Sequence, residues 1–368
     1  MKNSISVIAI IAVLILLLGS CEKDNGHGDL NHIPYNPIAL NIDIPSYFPR
    51  MESPVDNPLT VEGARLGRFL FYDPILSGDS TMSCSSCHQP QKNFRDDIPF
   101  SKGIKGLPGR RSSMTLINVG FSKNSLFWDG RSPSLEEQAL HPVEDPLELA
   151  AEWPVVINRL QSHPTYPEMF RKAFGISGRE QINKDLVAKA LAQFQRTIIS
   201  KDSKFDRVMK GEANFTDLEL IGFELYMDDN PDLPDAECAH CHNTPLMTSD
   251  DYFNNGLQRA SDLNDFVDKG RGALSGIPVD FGTFKAPTLR NVMISGPYMH
   301  NGSLKSIDEV LDHYFSGGHP SPTRNSLLRD LQKSGINDPF YREALKAFLH
   351  TLTDTVVLNR PELQNPFK

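Results

Sequence analysis

Four of the five cysteines fall into two short segments of one form, Cys84-Ser85-Ser86-Cys87-His88 and Cys238-Ala239-His240-Cys241-His242. A lone Cys-x-x-Cys could be a thioredoxin-like redox pair or half of a zinc site. Two copies, each followed directly by histidine and leaving only Cys21 over, match covalent attachment of haem c instead. In that chemistry the two thiols form thioethers with the vinyl groups, and the next imidazole ligates the iron. The spacing therefore predicts two haem c groups, one on Cys84, Cys87 and His88, the other on Cys238, Cys241 and His242. An iron with an open coordination position does chemistry, whereas one with both axial positions filled only carries electrons. Function thus turns on the far side of each haem.

The elements that must position these motifs are helices joined by long loops. Val187, Ala190, Leu191, Phe194 and Ile198 recur at three- and four-residue steps, predicting a helix over 184–200. Ser306–Tyr314 places Ile307, Val310, Leu311 and Tyr314 on one stripe, and Tyr341–Leu352 does the same with Ala344, Phe348 and Leu352. Alternating strand patterns are scarce. A weak internal repeat organises the chain: Gly67-Arg68-Phe69-Leu70-Phe71-Tyr72 lies 17 residues before Cys84, and Gly222-Phe223-Glu224-Leu225-Tyr226 lies 16 before Cys238. The expected fold is mainly α, with two cytochrome c-like helical domains over 46–210 and 211–368, each carrying one haem.

The N-terminus has the form of an export signal over residues 1–20. Lys2 is the charged part, and Ile5–Leu18 is an apolar run too short for the roughly 20 residues of a spanning helix. Leu18-Gly19-Ser20-Cys21 resembles a bacterial lipobox, which would make Cys21 the lipidated first residue of the mature chain. An uncleaved anchor helix is the competing reading, and either way the catalytic part lies outside the cytoplasm. That places the protein on the periplasmic side of a bacterial membrane, held by a lipid anchor only, with outer-membrane or cell-surface facing left open. Residues 21–45, polar and rich in Pro and Asn, read as a flexible tether. The formal charge is −9, and losing the leader with Lys2 makes it −10, a surface that repels phosphate backbones and excludes nucleic acid as a partner.

From about Leu59 to Leu352 the sequence resembles the bacterial di-haem cytochrome c peroxidase family, which includes MauG. The segments that carry the likeness are Gly67–Asp73, both haem motifs, Leu126-Phe127-Trp128-Asp129-Gly130-Arg131 with Leu135-Glu136-Glu137-Gln138, and Phe284–Val292 running into Pro297-Tyr298-Met299-His300-Asn301-Gly302. The resemblance implies that the His88 haem is peroxidatic and that the His242 haem stores and relays electrons. It puts Trp128 between the haems, with Glu148 as the distal acid–base group and Gln138 as the polar group that orients peroxide. Core packing is the ordinary role of a Trp, and solvation the ordinary fate of an acidic cluster such as Glu144, Asp145, Glu148 and Glu152.

Three departures from the family pattern carry consequences. Many members close the peroxidatic iron with a histidine from the loop after the first motif, yet Phe100–Arg110 contains none. The first haem is therefore expected to be open without reductive activation. Fourteen residues past His300, where typical peroxidases have a methionine ligand, stands Tyr314, as in MauG-like members; Met299 is the competing ligand and Met247 a weaker one. The family's calcium ion, held by an Asn side chain and two backbone carbonyls, would here fall to Ser112, Ser295 and Pro297. Ser112 stands where the Asn would be, and its neutral hydroxyl is a weaker oxygen ligand. Among the remaining histidines, His240 reads as a variable loop residue and His27 and His32 as exposed. His300 either hydrogen-bonds a haem propionate or simply packs.

Three functions follow. The first is reduction of hydrogen peroxide to water with electrons from a small periplasmic cytochrome c or cupredoxin. The second is a MauG-like oxidation of residues in a partner protein, using a bis-high-valent di-haem state that Tyr314 would permit. The third is a non-catalytic electron carrier, which an open first haem beside Glu148 and Gln138 disfavours. A homodimer is left open by the sequence.

Overall fold

The computed structural model describes residues 28–368, so the leader, Cys21 and His27 lie outside the described residues. The fold is mainly helical. Its first half holds α1 (Val61–Tyr72), α2 (Leu135–Glu144), α3 (Trp153–Ser162), α4 (Tyr166–Phe174) and α5 (Lys184–Gln195). The second holds α6 (Lys204–Met209), α7 (Asp217–Met227), α8 (Cys238–Cys241), α9 (Gly272–Ser275), α10 (Ile307–Phe315), α11 (Leu327–Leu331) and α12 (Pro339–Thr351), with α13 (Val356–Asn359) near the chain end. The only paired strands among the described residues are the two-residue β1 (Tyr252–Phe253) and β2 (Phe284–Lys285), antiparallel with Tyr252 opposite Lys285. No described helix is long and apolar enough to cross a membrane.

Capping chemistry starts several of these helices where the sequence changes character. The Thr60 side chain accepts from the Gly63 amide at the head of α1, and Thr216 and Glu219 form a reciprocal box at the head of α7. The predicted 184–200 helix stops at Gln195. The β-branched Thr197-Ile198-Ile199 run follows, and the Thr197 hydroxyl turns back onto the Phe194 carbonyl at 2.6 Å, so the chain leaves the helix although Ile198 stays buried.

The internal repeat is a repeated helix crossing. A Cβ on Gly67 of α1 would meet the Ala190 carbonyl of α5 at 1.9 Å and Phe194 Cβ at 2.9 Å. A Cβ on Gly222 of α7 would meet the Ala344 carbonyl of α12 and Phe348 Cβ at the same 1.9 and 2.9 Å. Glycine lets each helix pair touch backbone to backbone, and each pair heads its own core. Leu66, Leu70, Phe71, Val187, Leu191 and Phe194 build the first, and Leu225, Tyr226, Leu311, Ala344, Leu345 and Phe348 the second.

Two boundaries expected from sequence need correction. Residues 28–45, read as part of a flexible tether, lie along the first half instead. Leu30 is buried, its amide donates to the Ser177 carbonyl at 2.8 Å, and Leu40 N and Val61 N bond Leu59 O and Ile38 O. Main-chain hydrogen bonds do this, which polar composition does not reveal. The 210/211 division also misplaces two segments: Phe205 of α6 belongs to the second core, while Val357, Leu358 and Leu363 return to the first. There the Tyr72 hydroxyl and the Arg68 guanidinium bond the carbonyls of Leu363, Pro361 and Gln364.

Candidate haem centres

The first motif opens onto a cavity of about 1080 Å³, lined among others by Cys84, Cys87, His88, Trp128, Gln138 and Glu148. The His88 Nδ1 lies 2.9 Å from the Phe94 carbonyl, which fixes the ring and leaves Nε2 free. Burial lowers the His88 pKa, so the imidazole is neutral, as a metal ligand must be. The second motif repeats the arrangement. His242 Nδ1 lies 2.9 Å from the Pro287 carbonyl, and burial pushes its pKa down to about 4. Its cavity, about 240 Å³, is lined among others by Cys238, Cys241, His242, Met299, His300 and Tyr314.

Free, paired thiols beside an oriented neutral imidazole fit haem c at both motifs. Burial pushes Cys84 up to about 12 and Cys87 and Cys241 to about 11, with Cys238 higher still. Redox-active Cys-x-x-Cys pairs have depressed thiol pKa values, so this chemistry departs from the thioredoxin-like reading.

The distal side of the first cavity is built by α2 and the segment after it. Ser134 caps α2 by accepting from the Glu137 amide; the helix buries Leu135, Ala139 and Val143 and brings Gln138 to the cavity. Glu148 follows in a turn, its carbonyl accepting from the Ile104 amide at 3.0 Å. That contact exists because Gly103 has no side chain: a Cβ there would meet the Leu147 carbonyl at 2.2 Å and the Glu148 carbonyl at 2.5 Å. The 100–111 loop is thus a hairpin pressed against the Glu148 backbone, pinned by Gly109 N to Ser101 O at 2.8 Å. Burial raises the Glu148 pKa, Asp145 repulsion adds to the rise, and Arg131 and Arg110 oppose it. Of the acidic cluster around it, Asp145 and Glu148 line the cavity.

At the second cavity both candidate ligands are present and share a neighbour. Burial raises Tyr314 to about 12 while a hydrogen bond from the Asn255 side chain opposes it, and Asn255 Nδ2 also approaches Met299 Sδ at 3.2 Å. Met247 is in a different place, packed in the second core with its sulfur 3.7 Å from the Tyr226 hydroxyl. Sequence reasoning missed Asn255; the Asn254-Asn255-Gly256 turn, set in a polar stretch, was its only signal.

Trp128 lines both cavities. Its indole N–H donates to the Ser112 carbonyl at 2.8 Å. Arg111 bridges Asp129 at 2.6 Å and Asp268 at 2.7 Å beside it, and the His300 ring stacks on Phe284 at 3.6 Å between centroids. Burial pushes His300, which lines the second cavity, down to about 4, so its imidazole is neutral. His240, read from sequence as a loop residue, stands in α8 instead, is not among the residues lining either cavity, and meets Glu237 and Asp228 at 3.0 and 3.5 Å.

The calcium set does not fit. The Ser112 hydroxyl donates to the Met299 carbonyl at 2.8 Å, its amide donates to the His300 carbonyl, and the Pro297 carbonyl already accepts from Arg95 Nη2 at 2.8 Å. No step of the function is routed through calcium.

A family model described as di-haem cytochrome c peroxidase matches residues 61–214. The chain is 35% identical to the methylamine utilization protein MauG of Methylorubrum extorquens over 86% of each chain. It is 31% identical to cytochrome c551 peroxidase of Nitrosomonas europaea, covering 80% of this chain and 81% of that one. The crystal structure of a MauG-like protein associated with microbial copper homeostasis superposes with a TM-score of 0.81 at 32% identity, covering 90% of this chain and all of that one. With two attachment sites for haem c, each carrying its oriented imidazole, the chain belongs to the di-haem cytochrome c peroxidase and MauG family.

Proposed function

We propose that this protein reduces hydrogen peroxide to water at the His88 centre, with electrons from a small periplasmic cytochrome c or cupredoxin entering at the His242 centre and passing Trp128. The observation that carries this reading is the larger cavity, where Glu148 and Gln138 stand beside the motif of His88 and the 100–111 hairpin brings no imidazole. When bound, the two haems supply the iron and the electron storage for H₂O₂ + 2e⁻ + 2H⁺ → 2H₂O. The chain's own residues do the rest. Gln138 holds the peroxide, Glu148 takes the proton from the near oxygen and returns it to the departing one, and burial gives its carboxyl the raised proton affinity that two-way transfer needs. His88, its ring fixed by the Phe94 carbonyl, would hold the iron of that haem through Nε2.

A MauG-like oxidation of a partner protein is the second reading, and it rests on Tyr314 lining the second cavity. The two readings separate in a steady-state assay. Peroxide-dependent oxidation of a reduced small cytochrome or cupredoxin, abolished in His88→Gly, supports the peroxidase; turnover of peroxide without oxidation of any soluble donor refutes it. Export, acylation at Cys21 and a periplasmic position belong to the same proposal and rest on the leader sequence alone.

A further inference from the structure

The segments that face each other between the two halves, 93–115 and 291–300, are joined by hydrogen bonds that include one from the buried cation Arg95, which also lines the second cavity. Arg95 is only 6% exposed, forms no ion pair among the described residues, and spends Nη2 on the Pro297 carbonyl. A neutral carbonyl oxygen is the ligand type that calcium uses, and a guanidinium carries its positive charge at every physiological pH. Arg95 reaches this place through a tight turn: Asn93 and Phe94 are both left-handed, at φ 61° and 52°, and Gln89 N bonds the Arg95 carbonyl. The same turn presents the Phe94 carbonyl to His88 Nδ1. Ser112 adds further bonds, with its hydroxyl on Met299 O, its amide on His300 O and its carbonyl on the indole of Trp128.

We propose that the Arg95 guanidinium is the resident cation between the two halves, standing where the family resemblance would put calcium, and that this enzyme keeps its halves in register without a divalent ion. Ser112 in place of an asparagine is the companion change. With the charge supplied by Arg95, a short hydroxyl that closes onto Met299 does more for the junction than a longer amide oxygen reaching for an ion. A metal and the guanidinium cannot share the Pro297 carbonyl, since like charges at that separation repel.

The test uses the di-haem holoenzyme, incubated with calcium chloride, desalted and analysed for metal. Wild type is expected to hold far less than one calcium per chain, and its thermal midpoint and visible spectrum are expected not to change in EGTA. Arg95→Lys, which keeps the charge, should behave the same. Arg95→Ser combined with Ser112→Asn should bind about one calcium per chain and lose thermal stability when EGTA removes it. About one tightly held calcium in wild type, or a midpoint that falls in EGTA, overturns the proposal. So does a double variant that is as stable as wild type without calcium. Should the double variant fail to accumulate, the wild-type metal content and EGTA response decide alone.

Discussion

A carboxyl that must first take and then return a proton works best when its affinity for that proton lies near the working pH, and burial moves Glu148 in that direction. Glu148→Gln should retain both haems and slow peroxide cleavage by roughly 10²–10⁴-fold. The sign of the pH effect is fixed by the same shift. The base must be ionised to accept the first proton, so the rate of peroxide reaction with the free enzyme should fall as pH drops through a pKa above the ordinary glutamate value of about 4.3. Stopped-flow rates should lose that acid limb in Glu148→Gln; a limb that survives assigns the proton transfer to another group. At Tyr314 the question is potential. A phenolate is a harder and more electron-donating ligand than a thioether, and burial pushes the Tyr314 pKa up to about 12, so its ionisation depends on binding the iron. If Tyr314 is the ligand, Tyr314→Met should raise the reduction potential of the His242 haem and Tyr314→Phe should change its spectrum. Redox titration in which neither variant moves that haem would transfer ligation to Met299.

Among the elements, the 100–111 hairpin lines the first cavity and packs on the backbone of Glu148. Its backbone sits so close to residues 147–148 that Gly103→Val must push them apart. We expect that variant to lose about 1–3 kcal/mol of stability, read by denaturant unfolding, and to slow peroxide turnover with both haems retained. Helix periodicity made the principal elements legible: the stripes through Val187–Phe194, Ile307–Tyr314 and Ala344–Phe348 became α5, α10 and α12 with ends shifted by a few residues. The paired glycines were legible as a repeat, and their meaning as twin helix crossings needed the coordinates. What escaped the sequence was held by main-chain or single polar contacts. Residues 28–45 packed through backbone hydrogen bonds, the chain end returned to the first core, and Asn255 came between Tyr314 and Met299, none of which leaves a periodic trace. The haem motifs were legible because attachment chemistry fixes their residue types and spacing, and Trp128, Gln138 and Glu148 entered only through the family resemblance, whereas the Arg95 contact joins positions 202 residues apart.

For the molecule as a whole, two cores each carry one cavity and a single indole lines both; under the proposed function one half would exchange electrons with a donor and the other would meet peroxide. Trp128→Phe keeps the apolar bulk but removes the N–H that is tied to Ser112. It should leave peroxide or cyanide binding at the first haem unchanged while slowing electron delivery from the second, measured as reoxidation of the His242 haem after mixing; equal rates would take Trp128 out of the path. The central claim is that the His88 centre stands open in the resting enzyme with its acid–base group already in place. The most direct measurement is the visible and electron paramagnetic resonance spectrum of the fully ferric holoenzyme before and after one equivalent of hydrogen peroxide, with no reductant present. The account predicts a high-spin component at rest that is consumed at once on mixing. A resting spectrum that is wholly low-spin and six-coordinate, and that responds to peroxide only after partial reduction, would contradict it.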